Sequence, residues 1–176
     1  MIWTERYFRR IVFLVMLWTT HADDEWTLVG QIFQGALITH IEQGHGTLYP
    51  GAEATLLALK AADNPLYVAS NGWNIYLDAI VKYYKLDRWL DGVYSIEDVA
   101  SLKKSDLVRH ILSNHQLAQA TVVGDRISDF MTARANQLPV IGCRFDFSNE
   151  TELAEADYIV SDLRDILKLS LAPLSK

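Results

Sequence analysis

From residue 52 onward, short apolar runs alternate with longer segments in which apolar residues recur every three or four positions. Short apolar runs between turn-forming residues predict buried strands, and the recurring spacing predicts amphipathic helices. The pattern predicts strands at 66–69, 92–96, 121–124, 140–143 and 158–160, and helices at 52–62, 74–84, 105–112, from 128, at 150–154 and at 163–169. Strands that alternate with helices in this way indicate βαβ units, and therefore a parallel sheet with helices on both faces.

The first 47 residues follow a less regular pattern. Residues 1–20 carry aromatic and aliphatic side chains at every spacing, so the pattern does not separate helix from strand there. From residue 24 to about residue 43, apolar positions recur at intervals of three to five, which predicts a helix that ends at Gly44. The apolar surface of residues 1–20 must be covered by another part of the protein.

Composition narrows the class of protein. The chain has 176 residues, of which 50% are apolar and 22% charged, as expected for one globular domain with at most an appendage. Its net charge of −6 and the lack of a basic run argue against nucleic-acid binding, but a small anionic substrate needs only a few local donors. The single cysteine, Cys143, lies in an apolar run, which favours a buried thiol and a cytoplasmic protein.

One segment offers an alternative location. Arginines at positions 6, 9 and 10 precede the eight-residue apolar run Ile11–Trp18, an order that loosely resembles a secretory signal peptide. The run is far shorter than the roughly 20 residues that span a bilayer. We therefore expect a buried helix or strand here and no membrane partner, with export as the less favoured alternative that fractionation would decide.

The segment TVVGDRISD, residues 121–129, combines a predicted strand with two acidic residues. Gly124 permits a sharp turn, which leaves Asp125 at the carboxyl end of the strand, the edge where α/β sheets bind ligands. Asp129 follows after about one helical turn, beyond Ser128, which is expected to cap the next helix. Two carboxylates that face one crevice suit Mg²⁺. The plainer alternative is that Asp125 is a turn residue and Asp129 a first-turn acid favoured by the helix dipole.

Two other predicted strands are also followed by polar residues. Ser70, Asn71 and Gly72 follow the strand at 66–69, and a hydroxyl, an amide and free backbone N–H groups at a helix start can hold a phosphate. The alternative is that these three residues simply form a good turn. Lys103 and Lys104 lie just before a helix that Ser105 is expected to cap, where the helix dipole disfavours a cation, so one of them is expected to be functional. Whichever of the two points away is a solvated surface lysine.

In chain order, Ser70 with Asn71, then Lys104, then GDRISD resemble motifs two, three and four of the haloacid dehalogenase-like hydrolases. The phosphoglycolate phosphatase-like branch is the most similar, through the segments LYPGAEATLLALK, VASNG, KSDLV and VVGDRISD between residues 48 and 169. The resemblance implies a Rossmann-like core, a Mg²⁺ ion, and hydrolysis of a phosphate monoester through an aspartyl-phosphate intermediate.

The resemblance also implies roles for single residues. Ser70 would bind the transferring phosphoryl group, together with Asn71 and Gly72, and Lys104 would stabilise its charge. Asp125 would bind Mg²⁺, with Asp129 supporting the metal site. The substrate would be a small phosphorylated metabolite.

The first family motif is absent as a sequence, because no DxDGT occurs in the chain. In the family, this strand lies at the sheet centre, and its two aspartates are the nucleophile and the general acid. We expect residues 1–47 to form a partial helical cap and residues 48–176 to form a core that lacks the nucleophile strand, as in a phosphatase truncated at its amino end. Two alternatives remain: Asp23 in DDEWTL replaces the nucleophile, or Ile11–Trp18 fills the central strand position without restoring the chemistry.

The sequence therefore predicts a Mg²⁺-dependent phosphate monoester phosphatase core that is weak or inactive in the chain as given. The alternative function is a non-catalytic phosphate-ester binding or regulatory module that keeps the phosphate and metal residues. An exposed apolar amino end would favour a homo-oligomer.

Overall fold

The computed structural model describes residues 11–13, 35, 37–44, 47–145 and 148–169. Six strands lie in these ranges: β1 (Ile11–Phe13), β2 (Leu66–Ser70), β3 (Gly92–Ser95), β4 (Thr121–Gly124), β5 (Val140–Cys143) and β6 (Tyr158–Val160). The α-helices are α1 (Ala52–Ala61), α2 (Asn74–Tyr84), α3 (Lys104–Asn114), α4 (Ile127–Ala135) and α5 (Glu150–Leu153), and 3₁₀ helices span Leu86–Arg88, Ile96–Asp98 and Leu163–Lys168. Residues 37–42 are helical, which confirms the described part of the helix predicted at 24–43. None of the helices in the described ranges is long and apolar enough to cross a bilayer.

The six strands form one sheet in the order β3-β2-β1-β4-β5-β6, and every neighbouring pair is parallel. The predicted Rossmann-like parallel sheet is therefore confirmed. The strand order reverses between β1 and β4, so the crevice at the carboxyl ends of these two strands is where such a sheet binds ligands.

The sheet has a hydrophobic core on each face because successive strand residues point to opposite sides. Leu66, Val123 and Ile141 pack into one core with α1 and α2, whereas Tyr67, Val122 and Val140 pack into the other with α3 and α4. Cys143 is buried in the first core, as predicted. Strands covered on both faces must be apolar at every position, which is why they appear in the sequence as short apolar runs.

Residues 11–13 form the central strand of the sheet. β1 pairs with β2 on one side and with β4 on the other, and Phe13 lies level with Val68 and Val123. The expectation that the core lacks this strand is therefore wrong, and the alternative that placed the apolar run after residue 10 in the central position describes β1. The physical reason is that an apolar segment can pair with both inner strands, whose backbone groups would otherwise be unpaired. Residues 14–34 lie outside the described residues, so the division of the chain at residue 47 stays a prediction.

The helix starts differ from the sequence prediction at two places. α3 begins at Lys104 and α4 at Ile127, so neither Ser105 nor Ser128 is the capping residue. Instead, the N–H of Ile127 donates to the carboxylate of Glu152 at 2.7 Å. Glu97 likewise accepts from the N–H at the start of α2, at 2.7 Å. These carboxylates belong to other elements, and a local pattern therefore does not reveal them.

Candidate functional site

Asp125 follows β4 directly and is only 7% exposed, at the carboxyl end of a strand that borders the reversal of strand order. Residue 124 is glycine because a side chain would not fit there, and not because a sharp turn requires it. A Cβ atom on Gly124 would lie 2.3 Å from Oδ2 of Asp129, so only glycine lets the Asp129 carboxylate pack against this strand. The segment GDRISD thus places the carboxylate of Asp129 against the end of the strand that Asp125 follows.

Lys104 and Asp129 form a buried ion pair. Lys104 Nζ donates to Asp129 Oδ1 at 2.6 Å, and the two side chains are 6% and 0% exposed. The other oxygen of Asp129 accepts from the backbone N–H of Arg126 at 3.3 Å. Lys103, in contrast, is exposed. The structure therefore brings Lys104, rather than Lys103, to the two acids, and it engages both oxygens of Asp129 without a metal ion.

Ser70 lies at the same level of the sheet as Asp125. Val68, Phe13 and Val123 are in register across the three central strands, and Ser70 and Asp125 each lie two residues beyond that level. One strand separates them, so their backbones are about 10 Å apart, twice the usual spacing between strands. The same edge of the sheet thus carries the hydroxyl of Ser70, the carboxylate of Asp125 and the Lys104–Asp129 pair.

The loop after β2 is held by its own hydrogen bonds. Ser70 Oγ accepts from the N–H of Gly72 at 3.0 Å, and Ser95 Oγ donates to the carbonyl of Gly72 at 2.8 Å. The expected phosphate cradle therefore has fewer free N–H groups than predicted, since those of Gly72 and Asn74 are engaged. Ser70 is 2% exposed, and its hydroxyl donates to no group within the described ranges. Asn71 and Gly72 as binding residues stay predictions.

The environment of Asp125 disfavours its ionised carboxylate. Burial, and secondly the negative charge of Asp129, raise the pKa of Asp125 to about 6. The positive charges of Arg126 and Lys104 lower this pKa and oppose the increase without cancelling it. A buried carboxylate with a raised pKa is stabilised by any additional cation at the site.

The donor set accommodates part of a magnesium site. No group of three His, Cys, Asp or Glu side chains that could hold a metal ion occurs among the described residues. Mg²⁺ is usually held by only one or two carboxylates, with waters and substrate phosphate as the other ligands. Asp125 fits that requirement because it has no ion-pair partner within the described ranges, whereas Asp129 is already bound to Lys104. Asp125 is therefore the residue that would hold the ion.

Asp125→Asn is expected to raise the free energy of unfolding by about 1 to 2 kcal/mol at neutral pH in metal-free buffer. The pKa of Asp125 is higher in the folded protein than its usual value, so the ionised carboxylate opposes folding above about pH 6. This cost disappears as the pH falls through about 6 towards 4, so variant and wild type should then become equally stable.

Urea unfolding at neutral and at acidic pH measures this difference, with Asp87→Asn, at an exposed position, as the control. Added Mg²⁺ should stabilise the wild type and not the Asp125→Asn variant. A variant less stable than the wild type at neutral pH would show that the ionised carboxylate of Asp125 does not oppose folding.

The family of the chain follows from a comparison with known proteins. Residues 21–143 match the model of the haloacid dehalogenase-like hydrolase family. The chain belongs to this family. In this haloacid dehalogenase-like hydrolase, the matched region includes Ser70, Lys104, Asp125 and Asp129.

Two relatives and one solved structure are similar to this haloacid dehalogenase-like hydrolase. A 5'-nucleotidase of Pseudomonas aeruginosa is 28% identical over 140 residues, 76% of this chain and 62% of the relative. A phosphoglycolate phosphatase of Agrobacterium fabrum is 30% identical over 134 residues, 71% of this chain and 57% of the relative. A protein described as a predicted phosphatase from Clostridium acetobutylicum superposes with a TM-score of 0.61 at 30% identity, over 69% of this chain and 60% of its own. The chain thus spans less than two thirds of the length of each of these proteins.

Arg126 is the residue at this edge that the sequence pattern did not single out. It lies between the two acids of GDRISD, and its charge acts on Asp125. Its position next to Asp125 was visible in the sequence. The sequence did not show that Arg126 lacks an ion-pair partner among the described residues, because the carboxylates that pair with arginines belong to other elements of the fold.

Proposed function

We propose that the chain carries the phosphate-binding and magnesium-binding residues of a phosphate monoester hydrolase of the phosphoglycolate phosphatase type, acting on a small phosphorylated metabolite. Lys104 balances the charge of the phosphoryl group, Ser70 donates its hydroxyl proton to it, and Asp125 holds the Mg²⁺ ion. Asp129 positions Lys104. When bound, the ion supplies the charge that stabilises the phosphoryl oxygens in the transition state.

The observation that carries this proposal is the buried contact of 2.6 Å between Lys104 and Asp129 beside Asp125. A buried ion pair at a sheet edge is costly to assemble and contributes little to stability compared with apolar packing. Its position at the carboxyl ends of the central strands is that of a ligand site. The names of the relatives, a nucleotidase and a phosphoglycolate phosphatase, support a phosphate monoester as the ligand.

We further propose that hydrolysis by the chain as given is weak or absent. The residues that follow Phe13 in the sequence are Leu14, Val15, Met16 and Leu17, where the family has an aspartate nucleophile and an aspartate general acid. The next acid in the sequence is Asp23, ten residues after Phe13. These apolar residues follow the strand that fills the central position of the sheet.

An assay with para-nitrophenyl phosphate and Mg²⁺ tests this proposal together with a binding measurement. We expect turnover close to the background rate, and binding of phenylphosphonate that Ser70→Ala weakens by about tenfold, because a hydrogen bond to a charged group is lost. The exposed Ser101→Ala is the matched control. Robust turnover that Asp23→Asn abolishes would contradict the proposal and assign the nucleophile to Asp23. Absence of phosphonate binding would remove the proposed site altogether.

A further inference from the structure

Arg126 is unusual among the arginines that the structure describes. The other five each form an ion pair with a carboxylate: Arg88 with Glu53, Arg109 with Asp106, Arg134 with Asp157, Arg144 with Glu150 and Arg164 with Asp162. The guanidinium of Arg126 has no such partner within the described ranges, although the chain carries a net charge of −6. Within these ranges the half-buried guanidinium makes no direct contact with a carboxylate, although its charge acts on Asp125, and an anionic ligand would supply the hydrogen-bond partner that it lacks there.

The backbone of Arg126 is fixed at the ligand edge of the sheet. Its N–H donates to Asp129 Oδ2 at 3.3 Å, and its carbonyl accepts from the N–H of Asp129 at 2.9 Å. Glu152, an acid from α5, is engaged elsewhere, since it accepts from the N–H of Ile127 at 2.7 Å. The side chain of Arg126 therefore starts from a rigid position directly beside Asp125 and is not drawn away by Glu152.

Arg126 is more exposed to solvent than the residues proposed to hold the phosphoryl group. Ser70, Lys104 and Asp125 are buried, at 2%, 7% and 7% exposure, whereas Arg126 is only partly buried. A phosphoryl group bound by the deep residues leaves its ester substituent nearer to the solvent. The guanidinium of Arg126 is thus placed to meet that substituent rather than the phosphorus end of the substrate.

We infer that Arg126 binds a second anionic group of the substrate, so that the preferred substrate is a short phosphate ester with a carboxylate or second phosphate. This inference rests on the proposed function, which supplies the first anionic group. The substituent must be short because Arg126 directly follows Asp125, so its guanidinium lies no farther from this carboxylate than the two side chains reach. A guanidinium holds either anion through two parallel hydrogen bonds, which a lysine does not reproduce. Arg126 would then select the substrate without taking part in bond cleavage.

Binding of two phosphonates in the presence of Mg²⁺ tests the inference by isothermal titration calorimetry. Phosphonoacetate carries a carboxylate one carbon from phosphorus, and ethylphosphonate lacks it. We expect the wild type to bind phosphonoacetate about tenfold or more tightly than ethylphosphonate, because a hydrogen bond to a charged group is added. Arg126→Gln should remove this preference and leave ethylphosphonate binding within about twofold. Arg126→Lys should restore only part of it.

Arg109→Gln is the matched control, since it removes the same charge from an exposed position on α3 and should preserve the preference. Equal weakening of both phosphonates by Arg126→Gln would assign Arg126 to the phosphoryl group and overturn the inference. No change in either would overturn it as well, with the proposed function intact. Binding of neither phosphonate to the wild type would overturn both. Circular dichroism of each variant verifies the fold. If Arg126→Gln does not fold, Arg126→Lys tests the inference instead, since it should reduce the preference for phosphonoacetate, and an unchanged preference would overturn the inference.

Discussion

Replacing Leu14 and Met16 together by aspartate is expected to raise Mg²⁺-dependent hydrolysis of para-nitrophenyl phosphate at least about 100-fold. β1 holds the central strand position, and these two residues stand first and third after Phe13 in the sequence. In the family that this chain resembles, the nucleophile and the general acid are the first and third residues of DxDGT, at the end of the central strand. Leu14 and Met16 lie outside the described residues, and only their sequence distance from Phe13 enters this prediction.

The effect should be large because two catalytic groups are restored to a site that keeps the others. A general acid alone typically contributes about 10² to 10⁴ in rate, and a nucleophile divides the reaction into two easier steps. Initial rates with and without Mg²⁺ measure the effect, and circular dichroism verifies that the variant is folded.

The matched control is Leu14→Asn with Met16→Asp, which has nearly the same shape but no nucleophile and should stay close to the background rate. Equal activity of the two double variants would assign the nucleophile to another residue. A folded Leu14→Asp, Met16→Asp variant without activity would show that the residues after β1 do not reach Asp125. Either result would remove the proposed reason for weak activity.

The fold could be predicted from the sequence wherever a strand is covered on both faces. The runs at β2, β4 and β5 are apolar at nearly every position, and their predicted bounds agree with the structure to within one residue. Helix α2 agrees at both ends: the turn residues Asn71 and Gly72 precede it, and Lys85 in a left-handed conformation follows it. These signals are local, which is why one sequence was sufficient.

β1 could not be assigned in the same way. It has three residues inside an apolar stretch that lacks both alternation and turn residues, so its length and spacing are compatible with a helix or a strand. Its role depends on β2 and β4, which lie more than 50 residues later in the chain and need a common partner. A short strand that is stabilised by two strands far away in the sequence has no clear local sequence pattern.

The sequence predicted most residues of the candidate site, but it did not predict which of their side chains contact one another. Motif spacing indicated Ser70, a lysine at position 103 or 104, and the two acids of GDRISD. Only the packing of α3 against α4 shows that Lys104 meets Asp129 while Lys103 stays in solvent. That Arg126 has no ion-pair partner among the described residues is a further property of the folded protein, because it depends on which carboxylates the other arginines bind.

Lys104→Met is expected to lower the free energy of unfolding by about 3 to 5 kcal/mol. The variant keeps a long side chain but leaves the carboxylate of Asp129, which is fully buried, without its cation. The one other donor to this carboxylate within the described part of the chain is the N–H of Arg126 at 3.3 Å, which does not replace a charged partner. Chemical denaturation with urea measures the loss, and Lys103→Met, one residue away and exposed, should change stability by no more than about 0.5 kcal/mol.

The double variant Lys104→Met, Asp129→Leu separates the cost of an unpaired charge from the value of the pair. If the loss in Lys104→Met comes from the unpaired carboxylate, removing that carboxylate should restore about half or more of the stability, as replacing a whole buried pair by apolar residues often does. A double variant as unstable as Lys104→Met would instead mean that the pair holds α3 against α4 by its own attraction. Recovery of stability together with loss of phosphonate binding would mean that the pair is retained for the ligand and not for the fold, because an apolar pair would then serve the fold equally well.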